Sequence, residues 1–538
     1  MSEDITQLDH TVVDEFSISY DERLKRHEKL LTEITSQALK SPIYSDRIRQ
    51  LSSLEELSSL PLTSYEFILE RTEKEGLDKV LLAPIVQCFH TSGSTGEPKR
   101  FYYGEEDIHR IAFEYAMMSR IIGVKPGQKA WNLGGRLPDL SGYFLIEVGK
   151  ILHMDDSIST LLKDDKDLIK ALRRISSEKD IDIMASGALI IYLIGRMSQE
   201  PFFLSGLVED KAIRTYHLPR PLAKLARRIY LRGIDMGALK DITDNVTIAI
   251  SYAEALNPYM GELEKCYPRL RIYDVYGSTE NPITAAQIDL SINGLSIFLN
   301  TLIPEIASPE DVLKGKEDPQ YRVEGVLWHD WKPGMKGELL ITRQGQCLPL
   351  VRYPTGDTIE VLDSAHEIEV EVNGVPLALK LPLIRVLGRS VETLDFEAQD
   401  ESGNFLGIKI YSRYVNEALH RSSNVKWWEL YNIREMPARL ALVVIPESGP
   451  ADVERFKNEV VRRLTEEHSD LPQSFQIAND LKKLEVIVLS PQDYNVIQAE
   501  IDRRIKEGRS YGQLKPKHIY VMSTDEEFKS VMRDKYGR

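Results

Sequence analysis

Four short stretches of this sequence place residue types at a spacing that could do chemistry. The first is TSGSTGEPK, Thr91-Ser92-Gly93-Ser94-Thr95-Gly96-Glu97-Pro98-Lys99. Glycines let a loop turn its N–H groups inward, Ser and Thr hydroxyls add neutral donors, and a closing lysine adds a point charge. That set suits a polyphosphate. The Gly-x-x-x-x-Gly-Lys spacing of a Walker loop is not met from any of its glycines. The plainer alternative is a polar turn between a strand and a helix. The second stretch, DVYGSTENP from Asp274 to Pro282, puts an aromatic and a glycine at a strand end, then hydroxyls, then an acid. It suits a purine face beside a phosphate and a Mg2+ ligand, or a strand and turn with Tyr276 half buried. The third, PLVRYPTGDTIEV, sets Asp357 after a glycine, where an acid can accept from both ribose hydroxyls or simply close a turn. The fourth, VLGRSVETLDF, sets Arg389 at a change of texture, as a hinge residue or a surface linker arginine.

The elements needed to hold these residues can be read from pattern. Residues 15 to 80 read as helices with charged and leucine-rich periods such as DERLKRHEKLLTEITSQAL, interrupted by KSPIYS and LPLTSY. From about 85 to 290, short apolar runs (KAWNLGG, IDIMASG, NVTIAIS, RIYDVYG) alternate with helix-like segments such as DLIKALRRISSEKD. Strand and helix in alternation predict an α/β sheet with its ligand site at the strand ends. From 320 to 390 the texture is β (GVLWHDW, GELLITRQ, HEIEVEVNGVPLALKL), and beyond Gly388 it becomes α+β (ARLALVVIPESG, ADVERFKNEVVRRLTEE, LKKLEVIVLS). The predicted fold is α/β: a large N-terminal domain over 1–388, with α/β sheets and a β-rich subdomain, and a smaller mobile α+β domain over 389–538. No internal repeat or low-complexity tract is found.

Composition narrows the classes. The 538 residues suffice for a large core and more than one domain. A balance of 83 acids to 68 bases, net −15, argues against a general nucleic-acid binder. The three cysteines, Cys88, Cys266 and Cys347, lie far apart without metal-ligand spacing, which predicts a reducing compartment and neither a zinc site nor a disulfide framework. The acidic start MSEDITQLDH is not a signal peptide, and ALIIYLIG is far shorter than the roughly 20 residues that span a bilayer. A cytoplasmic protein with no membrane partner is expected.

Taken jointly and in order, the four stretches resemble the adenylate-forming superfamily of acyl-CoA ligases, peptide-synthetase adenylation domains and their relatives. That family carries a Ser/Thr/Gly loop ending in Pro-Lys, then Tyr-Gly-x-Thr-Glu, Tyr-x-x-Gly-Asp and a Gly-Arg hinge. GMKGELLIT (Gly334 to Thr342) matches the strand that usually precedes the third. The resemblance covers residue 30 or so to the C-terminus. ALKSPIYSDRI, LPLTSYEFI, GVKPGQKAWN and ISYAEALNP look like the phenylacetate-CoA ligase and coenzyme-F synthetase branch, while SYGQLKPKHIYVM looks like the tail of the plant auxin amido synthetases.

The resemblance implies ATP and Mg2+ as cofactors and residue roles to match. Thr91, Ser92, Ser94, Thr95 and Lys99 would contact phosphates, with Gly93 and Gly96 shaping the loop. Tyr276 would stack on adenine with Gly277 and Ser278 beside it, Thr279 would approach the α-phosphate, and Glu280 would bind Mg2+. Ala253 and Glu254 would line the adenine, although Tyr252 stands where many relatives have glycine. Asp357 would hold the ribose with help from Arg389. Lys515 is favoured over Lys517 as the mobile-domain lysine, a solvated tail lysine being the alternative. Val391 stands where the hinge is usually Asp or Lys, and EAQDESGNFLG lacks the glycine-rich segment usual in CoA ligases.

The carboxylate pocket would be walled by Trp131, Asn132, Tyr143 and Ser186, with Arg136 for a second acidic group; the alternative is that these residues pack the sheet. KAIRTYHLPRPLAKLARRIYLRG, with seven bases and no acid, could receive CoA phosphates or an acidic carrier protein, or form a solvated amphipathic helix. The expected activity is ATP-dependent activation of a small-molecule carboxylate to an acyl-adenylate and then, foremost, to an acyl-CoA thioester with CoA as co-substrate. Transfer to an amino acid or other amine, and a non-catalytic nucleotide-binding protein, are the alternatives. A homodimer is left open.

Overall fold

The computed structural model describes residues 3–91, 98–163, 165–176, 178, 180–214, 218–253, 256, 259–390, 393–399, 405–420, 424–435, 438–466, 474–506 and 517–537. The chain opens on two helices, Glu3–Phe16 and Tyr20–Ala38. Leu8, Val12 and Phe16 recur on one face of the first and are buried against the sheet. A buried Asp9–Arg120 ion pair, Nε to carboxylate 2.6 Å, fixes it to the helix Glu105–Ile121. Ser19 caps the second helix by accepting from the Glu22 N–H. His27 on that helix is buried; its Nε2 lies 2.6 Å from the Leu299 carbonyl, and the Trp328 indole N–H is 2.9 Å from its Nδ1.

Four apolar runs form the parallel strands Ala130–Asn132, Ile183–Gly187, Ile248–Tyr252 and Arg271–Tyr276, each a neighbour of the next in that order. Their near-continuous apolar character suits strands covered on both faces. The β-rich stretch does not make a sheet of its own. Its strands extend the parallel ones edge to edge, antiparallel, through Ala285–Ala286 and Leu295–Ile297 into the long hairpin Leu350–Val372/Val375–Arg389, then Lys336–Arg343, Leu302–Ala307 and Gly325–Leu327. The eleven strands thus form one sheet. Asn373 and Gly374 make the hairpin turn with φ of 51° and 82°, a pair of positive values that an Asn-Gly turn supplies without strain.

Beneath the hairpin lies a fully buried ion pair. Arg352 gives Nε and Nη2 to the Glu305 carboxylate at 3.1 Å each, and its remaining N–H groups go to the Ser58, Leu60 and Val323 carbonyls. Every donor of the guanidinium fork therefore has an oxygen in reach, the condition for tolerating such a charge in a core.

The smaller C-terminal α/β domain is built on a mixed four-stranded sheet, ordered Leu484–Val488, Arg439–Pro446, Val425–Ile433, Ile519–Met522. Its helix Ser412–His420 docks on the main sheet. Arg413 donates to the Val386 carbonyl at 2.8 Å and to Asn293 Oδ1 at 2.9 Å, while pairing with Glu417 at 2.7 Å. Lys336 of the main sheet sits 5.7 and 5.9 Å from the Tyr411 and Tyr414 ring centres. Among the described residues no helix is long and apolar enough to cross a membrane.

Candidate active site

The strands on either side of the Ser/Thr/Gly stretch pair with one another, so it is flanked by two strands and not by a strand and a helix. Gln87–His90 and Arg100–Tyr103 pair antiparallel with His90 opposite Arg100. Two further bonds close the loop's base: the Thr91 N–H donates to the Lys99 carbonyl and the Lys99 N–H to Thr91 Oγ1, each 2.9 Å. Thr91 and Lys99 are therefore fixed relative to one another. Ser92, Gly93, Ser94, Thr95 and Gly96 lie outside the described residues. The Lys99 ammonium is 3.5 Å from the Glu66 carboxylate and 5.1 Å from the Tyr65 ring centre, both on the helix Tyr65–Glu75. An ion pair this exposed is worth little, so an arriving anion can compete for the lysine.

The turn after the strand Arg271–Tyr276 is tied down by its backbone. Gly277 leaves no room for a side chain: a Cβ there would stand 1.9 Å from the Pro282 carbonyl oxygen. The Ser278 N–H donates to the Asn281 carbonyl at 2.9 Å, and Asn281 Nδ2 donates to the Ile283 carbonyl and Thr284 Oγ1 at 2.8 Å. Two residues that sequence reasoning missed hold this turn from below. The buried Tyr103 hydroxyl donates to the Thr279 carbonyl at 2.6 Å, and buried Arg343 donates Nε to the Glu280 carbonyl at 2.6 Å. Tyr103 ends the second strand of the hairpin, so this hydrogen bond ties the hairpin that bears Thr91 and Lys99 to the turn of the second stretch. Glu280 is 4% exposed. Burial pushes its carboxyl up, Arg389 and Lys99 draw it down, and Asp357 adds to the rise.

Asp357 and Arg389 stand directly opposite one another in the ladder of the long hairpin. The Arg389 Nε is 3.2 Å from Asp357 Oδ1, and its Nη1 donates to the Thr355 carbonyl at 3.2 Å. The other carboxylate oxygen, Oδ2, accepts from the Tyr276 hydroxyl at 2.7 Å. Burial and the neighbouring carboxylate raise the Tyr276 hydroxyl well above its usual range, so it stays a donor. The three later stretches thus meet at one place: the C-terminal end of the fourth parallel strand, where open α/β sheets bind ligands.

The pocket residues distribute differently. Trp131 is fully buried in the core, and its indole N–H has no partner among the described residues. Buried Asn132 is spent on backbone, its Nδ2 donating to the Gly142 carbonyl at 3.2 Å and its Oδ1 accepting from the Gly134 N–H at 2.8 Å. Ser186 donates to the Leu133 carbonyl at 3.2 Å. Tyr143 is half-buried, its ring 5.4 Å from that of Phe89 on the loop hairpin. Arg136 is half exposed and paired with Asp167 at 2.8 Å. Ala253 follows the third parallel strand with φ of 75°, a left-handed conformation that costs an alanine about 1–2 kcal/mol. Glu254, Val391 and Lys515 lie outside the described residues. Lys517 is exposed, its ammonium 5.0 Å from the Tyr520 ring centre.

No family model matches the chain, and no curated protein matches it. Solved structures do. A 2-hydroxyisobutyryl-CoA ligase in the postadenylation state, in complex with 2-HIB-AMP, superposes with a TM-score of 0.64 at 15% identity, over 97% of this chain and 94% of that one. This chain shares the fold of that ligase. The same fold is seen in the GH3.15 acyl acid amido synthetase, with a TM-score of 0.60 at 14% identity over 95% and 94% of the two chains. The ligase in its thioesterification state, with CoA, superposes less well, at a TM-score of 0.52 and 16% identity over 97% and 94% of the two chains.

Proposed function

We propose that the protein is an ATP-dependent ligase that activates a carboxylic acid as its acyl-adenylate. The observation that carries this reading is the convergence of Tyr276, Glu280, Asp357 and Arg389 at one strand end, joined through the Tyr103–Thr279 hydrogen bond to the hairpin that bears Thr91 and Lys99. In the reaction a carboxylate oxygen attacks the α-phosphorus of ATP and the bond to pyrophosphate breaks. The acid is already ionised at neutral pH, so no base is required. The difficulty is the meeting of two anions, which fixed cations and N–H donors offset. Lys99 and the loop it closes would hold the phosphates, Thr279 would face the α-phosphate, and Asp357 would take the ribose hydroxyls. Tyr276 would pack on adenine, beside Ala253.

Mg2+ commonly binds through one or two carboxylates and the substrate's own phosphates. Glu280 fits that pattern: a buried carboxylate that Arg389 and Lys99 draw towards its charged form. When bound, the ion would neutralise charge on the departing pyrophosphate. We place the boundary between the ATP- and carboxylate-binding domain and the C-terminal domain at 388/389, beside the final residue of the strand Val375–Arg389, and assign the mobile-domain lysine to Lys515. CoA is the proposed acceptor, in line with a phenylacetate-CoA ligase-like reaction, and an amine is the second reading.

The test is pyrophosphate release across aryl, fatty and amino acids, with and without CoA. Release that depends on a carboxylate is expected, followed by AMP release that depends on CoA. AMP release dependent on an amino acid would move the acceptor to an amine. ATP binding with no carboxylate-dependent pyrophosphate release would sink the ligase reading and leave a nucleotide-binding protein.

A further inference from the structure

Within the basic stretch noted in the sequence, the helix Arg220–Tyr230 turns its long aliphatic side chains outward. The helix Arg220–Tyr230 packs beside the helix Pro201–Arg214 through buried Ala223 and an Arg227–Glu209 ion pair of 2.8 Å. An amphipathic helix on a globular protein ordinarily turns its long aliphatic side chains to the core. Here Leu222, Leu225 and Ile229 are 51%, 52% and 65% exposed. Spaced i, i+3 and i+7, they form a single ridge along the outer face. Phe202, at the start of the neighbouring helix, is 86% exposed.

The charges on the ridge's own helix are all of one sign. Arg220, Lys224 and Arg228 lie along the same helix and Arg232 follows its end, all four exposed and none in an ion pair among the described residues. From Lys211 to Gly233 the sequence has seven bases and no acid, in a chain of net charge −15.

We propose that the outer face of the helix Arg220–Tyr230 docks on an anionic membrane surface. Aliphatic side chains on one side and Lys/Arg on the other is the layout of a helix lying in the headgroup region, apolar ridge in the acyl boundary and cations on the phosphates. The ridge is formed by exposed side chains of one helix, which suits a deformable bilayer better than a rigid protein groove. Charge complementarity selects the lipid. Anionic headgroups attract this patch and repel the acidic remainder, so the molecule binds in one orientation.

The experiment is flotation of the full chain with vesicles of phosphatidylcholine alone or with about 30% phosphatidylserine, at low and at high salt. Binding at least tenfold greater to the serine-containing vesicles, and reduced by salt, is expected. Leu225→Glu/Ile229→Glu and Lys224→Glu/Arg228→Glu should each lower it about tenfold, with thermal melts matching the parent chain because all four positions are exposed. Equal binding to both vesicle types, no binding to either, or binding unchanged by Leu225→Glu/Ile229→Glu overturns the proposal. Sedimentation velocity gives a further overturning result: a dimer that the same Leu225→Glu/Ile229→Glu pair converts to monomer would assign the ridge to a second copy of the chain.

Discussion

A carboxylate has about four lone-pair positions, and Asp357 gives two of them to Tyr276 and Arg389. Among the described residues nothing takes the other two, the number needed for a pair of adjacent sugar hydroxyls. Asp357→Asn replaces one acceptor oxygen by a donor and removes the charge facing Arg389. It should weaken nucleotide binding by roughly 2–3 kcal/mol, on the order of 100-fold, read as KM for ATP or by calorimetry. Glu280→Gln should lose Mg2+-dependent pyrophosphate release while still folding; full activity in that variant would remove the metal role. His27, away from the site, offers a pH test. As a neutral ring it can donate to Leu299 and accept from Trp328, and burial depresses its pKa to about 4 from 6.5. The unfolded chain binds this proton first as pH falls. The neutral form's stabilisation is therefore complete above pH 6.5 and declines towards pH 4, by about 3 kcal/mol at most. Melting temperature should drop over that window, and less steeply in His27→Gln, whose side chain can donate and accept but not titrate.

At the scale of elements, position depends on backbone fit more than on side-chain attraction. Gly277→Ala would press a methyl into the Pro282 carbonyl, a backbone group that cannot swing aside. The turn must open, at a cost of about 1–3 kcal/mol in stability. Thr279 and Glu280 would lose their placement, so pyrophosphate release should fall further than melting temperature suggests. The strands were largely legible: KAWNLGG, IDIMASG, NVTIAIS and RIYDVYG each contain one, and the parallel order follows from their alternation with helices. The hairpin around the Ser/Thr/Gly stretch was not. Its two strands have four residues each, too short for a clear period of two. The hydrogen bonds from Tyr103 to Thr279 and from Arg343 to Glu280 were equally hidden, because local pattern carries no trace of contacts 176 and 63 residues apart. The amphipathic period of Arg220–Tyr230 was plain in the sequence, but which face would turn outward was not.

Across the whole molecule, Arg413 ties the C-terminal domain to the main sheet by polar contacts to Val386 and Asn293, beside a small buried cluster of Leu387, Tyr411 and Tyr414. Contacts of this kind yield more readily than an apolar seam. Arg413→Ala should loosen the docked arrangement without unfolding either part, seen as faster limited proteolysis between the two and a fall in activity. An unchanged cleavage pattern would remove Arg413 from that role. The Glu305–Arg352 pair sets a different kind of limit. Loss of either partner strands the other as a bare buried charge, at about 3–5 kcal/mol, and Arg352 also holds φ at 48°. A lineage can leave this arrangement only by changing both positions nearly at once. Among descendants of a common ancestor, positions 305 and 352 should therefore vary as a couple, and in a library randomised at both positions a larger fraction of the double replacements than of either single one should stay folded.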